Sequence, residues 1–223
     1  MKNSKIYLGE SLLKKDKGQV EGEFVTIHDE KYYKISHYDQ MPNFFMTLVS
    51  DSDHWMFISS NGSLSAGRKD RDNALFPYYG HDKIHDYSGI TGNKTLILVE
   101  KEGKTFLWEP FTKEMKGVYT TERNLYKNVF GNKLIFEEIN KDLEICFQYG
   151  WSYSEKFGFV KTSTLKNTGD QIVTVNILDG IRNLLPHGVE YAFQNEYSNL
   201  LDAYKKAELL ERSLKTVPVQ VRV

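Results

Sequence analysis

Short segments in which apolar and polar residues alternate follow one another along most of this chain. They are rich in aromatic and β-branched residues, and Asp, Asn, Gly or Pro separates one segment from the next. A period of two places successive side chains on opposite faces of a strand, so the pattern predicts half-buried β-strands rather than helices. The predicted strands comprise residues 24–28, 31–36, 44–49, 54–59, 94–99, 105–108, 117–121, 133–139, 143–149, 157–165 and 171–178.

Turn-forming residues connect several of these strands. The connections at 101–103, 140–142 and 167–170 each contain Gly or Asn, which adopt positive φ readily, and each can reverse an antiparallel pair. Many short strands joined by tight reversals predict a mainly β fold, namely a large antiparallel β-sandwich. We assign residues 1–190 to this sandwich.

The region after Gln194 has helical spacing instead. The residues at that spacing are Tyr197, Leu200, Leu201, Tyr204 and Glu208. Asn195 can cap the start of a helix, and Lys205 and Lys206 suit its C-terminal half. We therefore predict one C-terminal helix over residues 195–211, followed by an edge strand at 216–223 that contains Pro218. Residues 191–223 form a second unit, either a lid on the sandwich or the start of a linker to a further domain.

The charge balance narrows the classes of partner. Among 223 residues, 29 Lys plus Arg stand against 30 Asp plus Glu, for a formal net charge of −1. Because such a chain has little attraction for phosphate backbones or anionic lipid, we predict neither a nucleic-acid nor a membrane partner. The sequence has no apolar run long enough for a signal peptide or a membrane span, so the expected location is cytoplasmic. The single cysteine, Cys146, lies in an alternating segment and is interpreted as a core residue.

The stretch from residue 61 to 92 has no clean alternation and is dense in Gly, Asp, Asn, Tyr and His. A long stretch without secondary structure inside a compact domain is usually either functional or an error in the assignment of strands and helices. Its forked side chains can engage neighbouring sugar hydroxyls, and aromatic rings can cover the apolar face of a pyranose. The candidate carbohydrate-binding residues are Asn61, Arg68, Asp70, Arg71, Asn73, Tyr78, Tyr79, His81, His85 and Trp108. The alternative is a surface loop in which Arg and Asp pair with each other and the aromatic residues pack onto the sandwich.

Two histidines in this loop allow two further interpretations. On a helix, the spacing of His81 and His85 would present both imidazoles to one metal ion, but nearby Pro and Gly residues argue against a helix. Either histidine could also act as the acid or base of a sugar mutarotase or epimerase, because imidazole titrates near neutrality. The sequence contains neither a P-loop ending nor a Gly-x-Ser-x-Gly motif, which disfavours nucleotide binding and serine hydrolysis. We predict no metal and no cofactor.

Two stretches carry a resemblance to a known family. Residues 60–70 read Ser-Asn-Gly-Ser-Leu-Ser-Ala-Gly-Arg-Lys-Asp, and residues 159–179 form a strand that leads through a turn into a second strand. Both resemble the N-terminal β-sandwich of the cellobiose phosphorylase-like glycoside phosphorylases, glycoside hydrolase family 94, in a divergent branch. The similarity covers about residues 31–204.

This resemblance implies a galactose mutarotase-like super-sandwich. In the family a helical linker and an (α/α)6 barrel follow, and the barrel holds the general acid and the phosphate-binding residues. The resemblance therefore implies a domain without catalytic residues of its own, which supports a sugar site of a glycosyltransferase and contributes to a homodimer. Two alternatives stay open, namely a stand-alone aldose mutarotase or epimerase and an assembly module without a ligand.

Overall fold

The computed structural model describes residues 5–8, 11–14, 18–197 and 203. Within them the chain is mainly β, and every pair of strands that shares a ladder is antiparallel. The strands are β1 (Tyr7–Leu8), β2 (Ser11–Leu12), β3 (Glu21–Ile27), β4 (Glu30–Ser36), β5 (Phe45–Leu48), β6 (His54–Ser59), β7 (Leu64–Arg68), β8 (Ala74–Phe76), β9 (Gly92–Lys101), β10 (Lys104–Trp108), β11 (Thr121–Asn128), β12 (Leu134–Asn140), β13 (Ile145–Ser154), β14 (Gly158–Asn167) and β15 (Thr174–Arg182). The helical elements are α1 (Tyr191–Glu196) and single 3-10 turns at Tyr38–Gln40, Arg71–Asn73 and Ile84–Tyr87.

Three larger sheets make up the sandwich. The first has six strands in the order β14-β13-β12-β11-β4-β3, the second has four in the order β5-β6-β7-β8, and the third has three in the order β10-β9-β15. Strands β1 and β2 pair separately. The predicted fold class, a mainly β antiparallel sandwich, is confirmed.

One hydrophobic core joins the three sheets. Ile58 from the four-stranded sheet, Ile97 from the three-stranded sheet and Phe136 from the six-stranded sheet belong to the same buried cluster. Phe76 and Trp151 meet edge to face across two of the sheets, with ring centroids 6.1 Å apart. Burial of apolar side chains from all three sheets is therefore what holds the sheets against one another.

The alternation in β12 places two adjacent carboxylates on opposite faces of its sheet. Leu134 and Phe136 are buried in the core, and the period of two puts Glu138 on the same inner face. Glu137 lies on the outer face, where its Oε1 accepts a hydrogen bond of 2.7 Å from the Tyr126 hydroxyl. The inner carboxylate is the one that shapes the site described below.

The predicted turns have two different outcomes. Glu102 and Gly103, with φ of 53° and 72°, join β9 to β10 in a two-residue hairpin, and the connection after Asn140 reverses the chain from β12 into β13. The turn at 167–170 was predicted to reverse an antiparallel pair, which is wrong. It carries the chain from β14 in the six-stranded sheet to β15 in the three-stranded sheet, because β15 pairs with β9 instead.

Strands β7, β8 and β11 were not predicted from the alternation pattern. The stretch 61–92 is not without secondary structure, since it contains β7 and β8. Strand β7 was missed because Ala66 and Gly67 are poor strand formers, and packing rather than propensity makes this segment a strand. The strand predicted at 117–121 is instead β11, from Thr121 to Asn128, whose Arg123 and Asn124 are polar and face buried partners.

The C-terminal predictions fall mostly beyond the described residues. Helix α1 begins at Tyr191, earlier than predicted, and ends at Glu196. The helix predicted for 195–211 lies largely outside the described residues, and the strand predicted for 216–223 lies entirely outside them. Across the part of the chain that the structure describes, no helix has the length and apolarity needed to cross a membrane.

Candidate functional site

Glu138 is a buried carboxylate on the inner face of β12, with 2% of its side chain exposed. It accepts hydrogen bonds from Trp108 Nε1 at 2.9 Å, from the Phe111 backbone N–H at 2.7 Å and from Arg123 Nε at 2.6 Å. A buried carboxylate is tolerated when a cation balances its charge and donors fill its lone pairs, and these three groups do both. Glu138 thereby ties the end of β10, the segment after it and β11 to β12.

Phe111 is the bend in the segment after β10. It follows Pro110 and has a φ of 65°, a left-handed conformation that strains a residue with a side chain. The hydrogen bond from its N–H to Glu138 holds this bend, and its ring packs edge-on against Tyr149 with centroids 5.2 Å apart. The anchored bend makes residues 109–114 one wall of a cavity.

The cavity has a volume of about 450 Å³. Its lining comes from segments that are far apart in the sequence. These are residues in 38–43, 60–62, 88–95 and 109–116, together with Arg123, Tyr149 and Arg182. Ligand pockets in proteins commonly measure about 300–1,000 Å³, so the volume suits a small molecule.

Two guanidinium groups are held in place at the cavity. Arg182 donates to the carbonyl oxygens of Gly89 at 2.5 Å and Ser88 at 3.2 Å. Arg123 donates through Nη2 to the carbonyl oxygen of Thr112 at 2.9 Å, in addition to its bond to Glu138. Because both groups are restrained by backbone carbonyls and a carboxylate, a ligand would find them already oriented.

Several lining residues carry polar atoms that lack a partner. Asp39 Oδ1, Asn93 Oδ1 and Arg182 Nε are buried and have no hydrogen bond within the part of the chain described. Lys94 and Glu109, by contrast, form an ion pair at the cavity wall. Buried polar atoms normally have partners, and these three atoms are closed off from the cavity, so a ligand could reach only the remaining polar atoms of these partly exposed side chains.

Tyr38 and Tyr149 complete the wall as neutral phenols. Burial raises the pKa of Tyr38 well above its ordinary value, although the nearby Arg123 opposes this and Glu138 adds to it. Burial likewise raises the pKa of Tyr149 far above its ordinary value. Both phenols therefore keep their protons and can each donate and accept a hydrogen bond.

Of the residues predicted from sequence, Asn61 lines this cavity. Its Nδ2 donates to the carbonyl oxygen of His85 at 2.7 Å, and its Oδ1 accepts from the Ser63 N–H at 3.2 Å. The ring of His85 contacts Ser59, with Nδ1 and Oγ 2.7 Å apart. Asn61 thus shapes the rim, whereas His85 lies behind it.

A second group of predicted residues lies on the surface beside the four-stranded sheet. Arg68 forms a forked ion pair with Asp53, with nitrogen to oxygen distances of 2.9 and 3.0 Å. Asp70 accepts from Asn73 Nδ2 at 2.7 Å, and the Arg71 guanidinium lies over a tyrosine ring 4.5 Å away. The Arg68 guanidinium lowers the pKa of Asp53, and the Asn73 amide lowers that of Asp70. These side chains satisfy one another rather than facing the cavity.

The predicted aromatic residues divide in the same way. Tyr78 belongs to a row of surface rings described below, and the exposed His81 lies edge-on to Phe45 with centroids 6.3 Å apart. Tyr79 stacks on Tyr87 at 3.8 Å. Trp108 is 1% exposed in the core, so neither face of its indole is open to a sugar.

Six side chains that line the cavity or brace its wall were not predicted from the sequence, namely Asp39, Asn93, Glu109, Arg123, Glu138 and Arg182. The available signal was the pair of adjacent carboxylates, Glu137 and Glu138, inside an otherwise apolar alternating strand. One of two neighbouring residues in a strand must face the core, which identifies a buried carboxylate. The partner of that carboxylate could not be chosen from the sequence.

The positions of His81 and His85 bear on the interpretation that they bind a metal ion. Within the described ranges, no three His, Cys, Asp or Glu side chains come close enough to hold one metal ion. His81 lies in a turn and His85 in the 3-10 turn that follows it. Cys146 is buried, and burial raises the pKa of its thiol to about 12.

The candidate site is supported by its geometry, because comparison with protein-family models and curated proteins gave no match. No protein-family model matches the chain. No curated protein sequence matches it at a significant level.

Proposed function

We propose that this chain is a non-catalytic, carbohydrate-associated β-sandwich domain that binds a small hydroxyl-rich ligand in the cavity beside Glu138. The observation that carries the proposal is that forked polar groups and aromatic rings line one cavity of about 450 Å³. The resemblance to the N-terminal sandwich of the glycoside phosphorylases supports the same class of ligand.

The polar lining matches the hydrogen-bonding character of a sugar. Asp39 offers a carboxylate, Asn93 an amide and Arg182 guanidinium N–H donors, on side chains that are partly exposed. A sugar hydroxyl both donates and accepts, so one ligand can bond to polar atoms of all three side chains. A wholly apolar ligand would displace water from those atoms without replacing its hydrogen bonds, at a cost of about 1–3 kcal/mol for each group that it desolvates.

The aromatic lining matches the other face of a sugar. Phe111 lines the cavity with part of its ring exposed, and it packs edge-on against the buried Tyr149. The apolar surface of Phe111 suits the C–H face of a pyranose ring, while the phenol of Tyr149 can bond to a hydroxyl. A hexose or a disaccharide is the size of ligand that we expect.

Within a longer parent protein, this domain would support a sugar site together with a C-terminal catalytic domain of (α/α)6 type. It would also contribute to a homodimer. The alternative of a stand-alone mutarotase draws no support from His81 and His85, because neither lines the cavity.

Calorimetric titration with glucose, cellobiose and N-acetylglucosamine tests the proposal. We expect millimolar binding of at least one of these sugars. Tyr149→Phe and Asp39→Ala should each weaken that binding by about three- to tenfold, because each removes one hydrogen-bonding group.

Tyr33→Phe is the matched control, since Tyr33 is 43% exposed and does not line the cavity. It should leave the affinity unchanged. If none of the three sugars gives heat at tens of millimolar, or if both cavity variants bind as tightly as the unmodified chain, the proposal is wrong.

A further inference from the structure

Five aromatic side chains form a continuous row beside the four-stranded sheet, here called the aromatic row. Its members are Phe45, Phe57, Trp55, Tyr78 and Tyr191. Successive ring centroids are 5.4 Å apart for Phe45 and Phe57, 5.5 Å for Phe57 and Trp55, 5.7 Å for Trp55 and Tyr78, and 5.6 Å for Tyr78 and Tyr191. The row is partly exposed along its length, and none of its members lines the cavity.

The indole of Trp55 lies along the sheet rather than standing away from it. A Cβ placed on Gly67, its partner on β7, would be 2.6 Å from Trp55 Cζ2. The indole therefore occupies the space that a side chain at position 67 would take, and its Nε1 donates to the carbonyl oxygen of Asp70 at 3.2 Å. The indole is therefore packed against β7, and Trp55 remains partly exposed.

Hydrogen-bonding side chains flank the row, and their charges are balanced. Arg68 is paired with Asp53 at 2.9 Å, and Asp70 is bonded to Asn73. Arg71 lies over the ring of Tyr191, the last member of the row. Because the charges along this edge are already engaged, the surface has no strong attraction for a charged partner.

We propose that the aromatic row is a second binding site and that its occupant is an extended, neutral glycan chain. Successive sugar rings would place their apolar C–H faces on Trp55, Phe57 and Phe45, whose planes are tilted by 35° and 36° from one ring to the next. Their hydroxyls would meet the forked side chains of Arg68 and Asn73. This site does not depend on a ligand in the cavity, so a domain with an empty cavity would still bind through the row.

The ring geometry favours a glycan over a proline-rich peptide. Proline-rich segments dock into grooves between aromatic side chains. Within the aromatic row, Phe45, Phe57 and Trp55 are tilted by only 36° and 35° from one ring to the next, whereas Tyr78 stands edge-on to Trp55 at 75° and to Tyr191 at 86°. Three neighbouring rings of low tilt suit a ligand that presents one flat, apolar side in each repeat.

Tryptophan fluorescence provides a reporter that is specific for this site. The chain has three tryptophans, and Trp108 and Trp151 are 1% and 2% exposed, so Trp55 is the one within reach of a surface ligand. We expect cellohexaose or maltohexaose to shift the emission and to protect it from quenching by acrylamide. Phe57→Ala and Phe45→Ala should each weaken hexasaccharide binding by about tenfold, the loss expected for one stacking contact. Trp55→Ala, measured by calorimetry, should weaken it at least as much.

Phe130→Ala is the matched control, because Phe130 is an aromatic residue that is 71% exposed on a turn away from the row. It should bind the hexasaccharides as the unmodified chain does. The proposal is overturned if neither hexasaccharide alters the emission at millimolar concentration, if the row variants bind normally, or if decaproline alone produces the change. Glucose titrated separately reports on the cavity, so failure of one site is distinguishable from failure of the other.

Discussion

The cavity and the aromatic row are built in opposite ways. Residues that form the cavity come from segments scattered between positions 38 and 182, and a buried carboxylate holds several of them together. The row draws four of its five members from positions 45–78 and is held by ring contacts between neighbours. The cavity is therefore a cooperative polar assembly, whereas the row is a series of local apolar contacts.

Because of this difference, single substitutions should affect the two sites in different ways. When one partner leaves a buried charge network, the remaining charge stays buried and unpaired, so the loss is large. When one ring leaves a surface row, its neighbours remain solvated and keep their other contacts. We expect substitutions in the charge network around Glu138 to abolish binding in the cavity by destabilising the fold. Substitutions in the row should weaken binding only by removing a contact with the ligand.

Glu138→Ala is the change that tests this difference most severely. It leaves the Arg123 guanidinium buried without its carboxylate, so we expect a loss of about 3–5 kcal/mol in the free energy of unfolding. Trp55→Ala is the corresponding change in the row, where a half-buried ring is lost at a cost of about 1–2 kcal/mol. Urea denaturation of both variants measures the two losses.

An exposed carboxylate provides the control for Glu138. Glu144 pairs with Lys101 at 2.7 Å and is 49% exposed, so Glu144→Ala should cost less than about 1 kcal/mol. Equal losses from Glu138→Ala and Trp55→Ala would contradict the contrast between the two sites.

Alkaline pH should act on the cavity. The pKa of Tyr38 and that of Tyr149 are raised above the ordinary value of 10 by burial. As pH rises through 10 the unfolded chain loses phenol protons that the folded chain keeps, so stability falls, by about 1.4 kcal/mol per pH unit for each tyrosine. Guanidinium denaturation between pH 9 and about 11.5 measures this slope.

Tyr149→Phe removes one of these two groups and should make the slope shallower. When unfolded in guanidinium, the same variant should show one fewer ionising tyrosine than the unmodified chain in an absorbance titration. A slope that does not change in Tyr149→Phe would mean that this phenol is not protected in the folded state.

Asn73→Ala tests the polar edge of the row and should have the smallest effect. The Asn73 amide is the main cause of the lowered pKa of Asp70, so the substitution should raise that pKa. A lowered carboxyl pKa contributes stability above the pKa of the unfolded chain and loses it as pH falls through the folded value, so any effect is confined to acid pH. Carbon NMR titration of the aspartates measures it, with Asp53 as the internal control because Arg68 holds its pKa low.

The contrast also explains what could be predicted from the sequence. Strand β6 was predicted with its observed bounds, because the aromatic Trp55 and Phe57 alternate with Met56 and Ile58. Strand β11 was misplaced, because Arg123 and Asn124 look like surface residues until Glu138 and Glu137 are placed opposite them. Polar residues that are buried through pairing do not show in a hydrophobic pattern.

The predicted site follows the same rule. The loop at 61–92 contains the polar edge of the aromatic row and one of its five rings, so Arg68, Asp70, Asn73 and Tyr78 were found together. Asn61 was the one predicted residue to line the cavity. The cavity depends on strand pairings between distant segments, and a single sequence does not state which strands pair.

The pairing of β15 with β9 has a consequence for the order in which the molecule assembles. It joins Gly92 to Arg182 and Glu100 to Thr174, partners that are far apart in the chain. Ladders of this kind form slowly, because a long loop must close before its contacts are gained. During synthesis β9 and β10 leave the ribosome well before β15, so one edge of β9 waits unpaired and open to association with other chains. Arg182 closes this ladder and also lines the cavity, so the ligand pocket is completed when β15 pairs with β9.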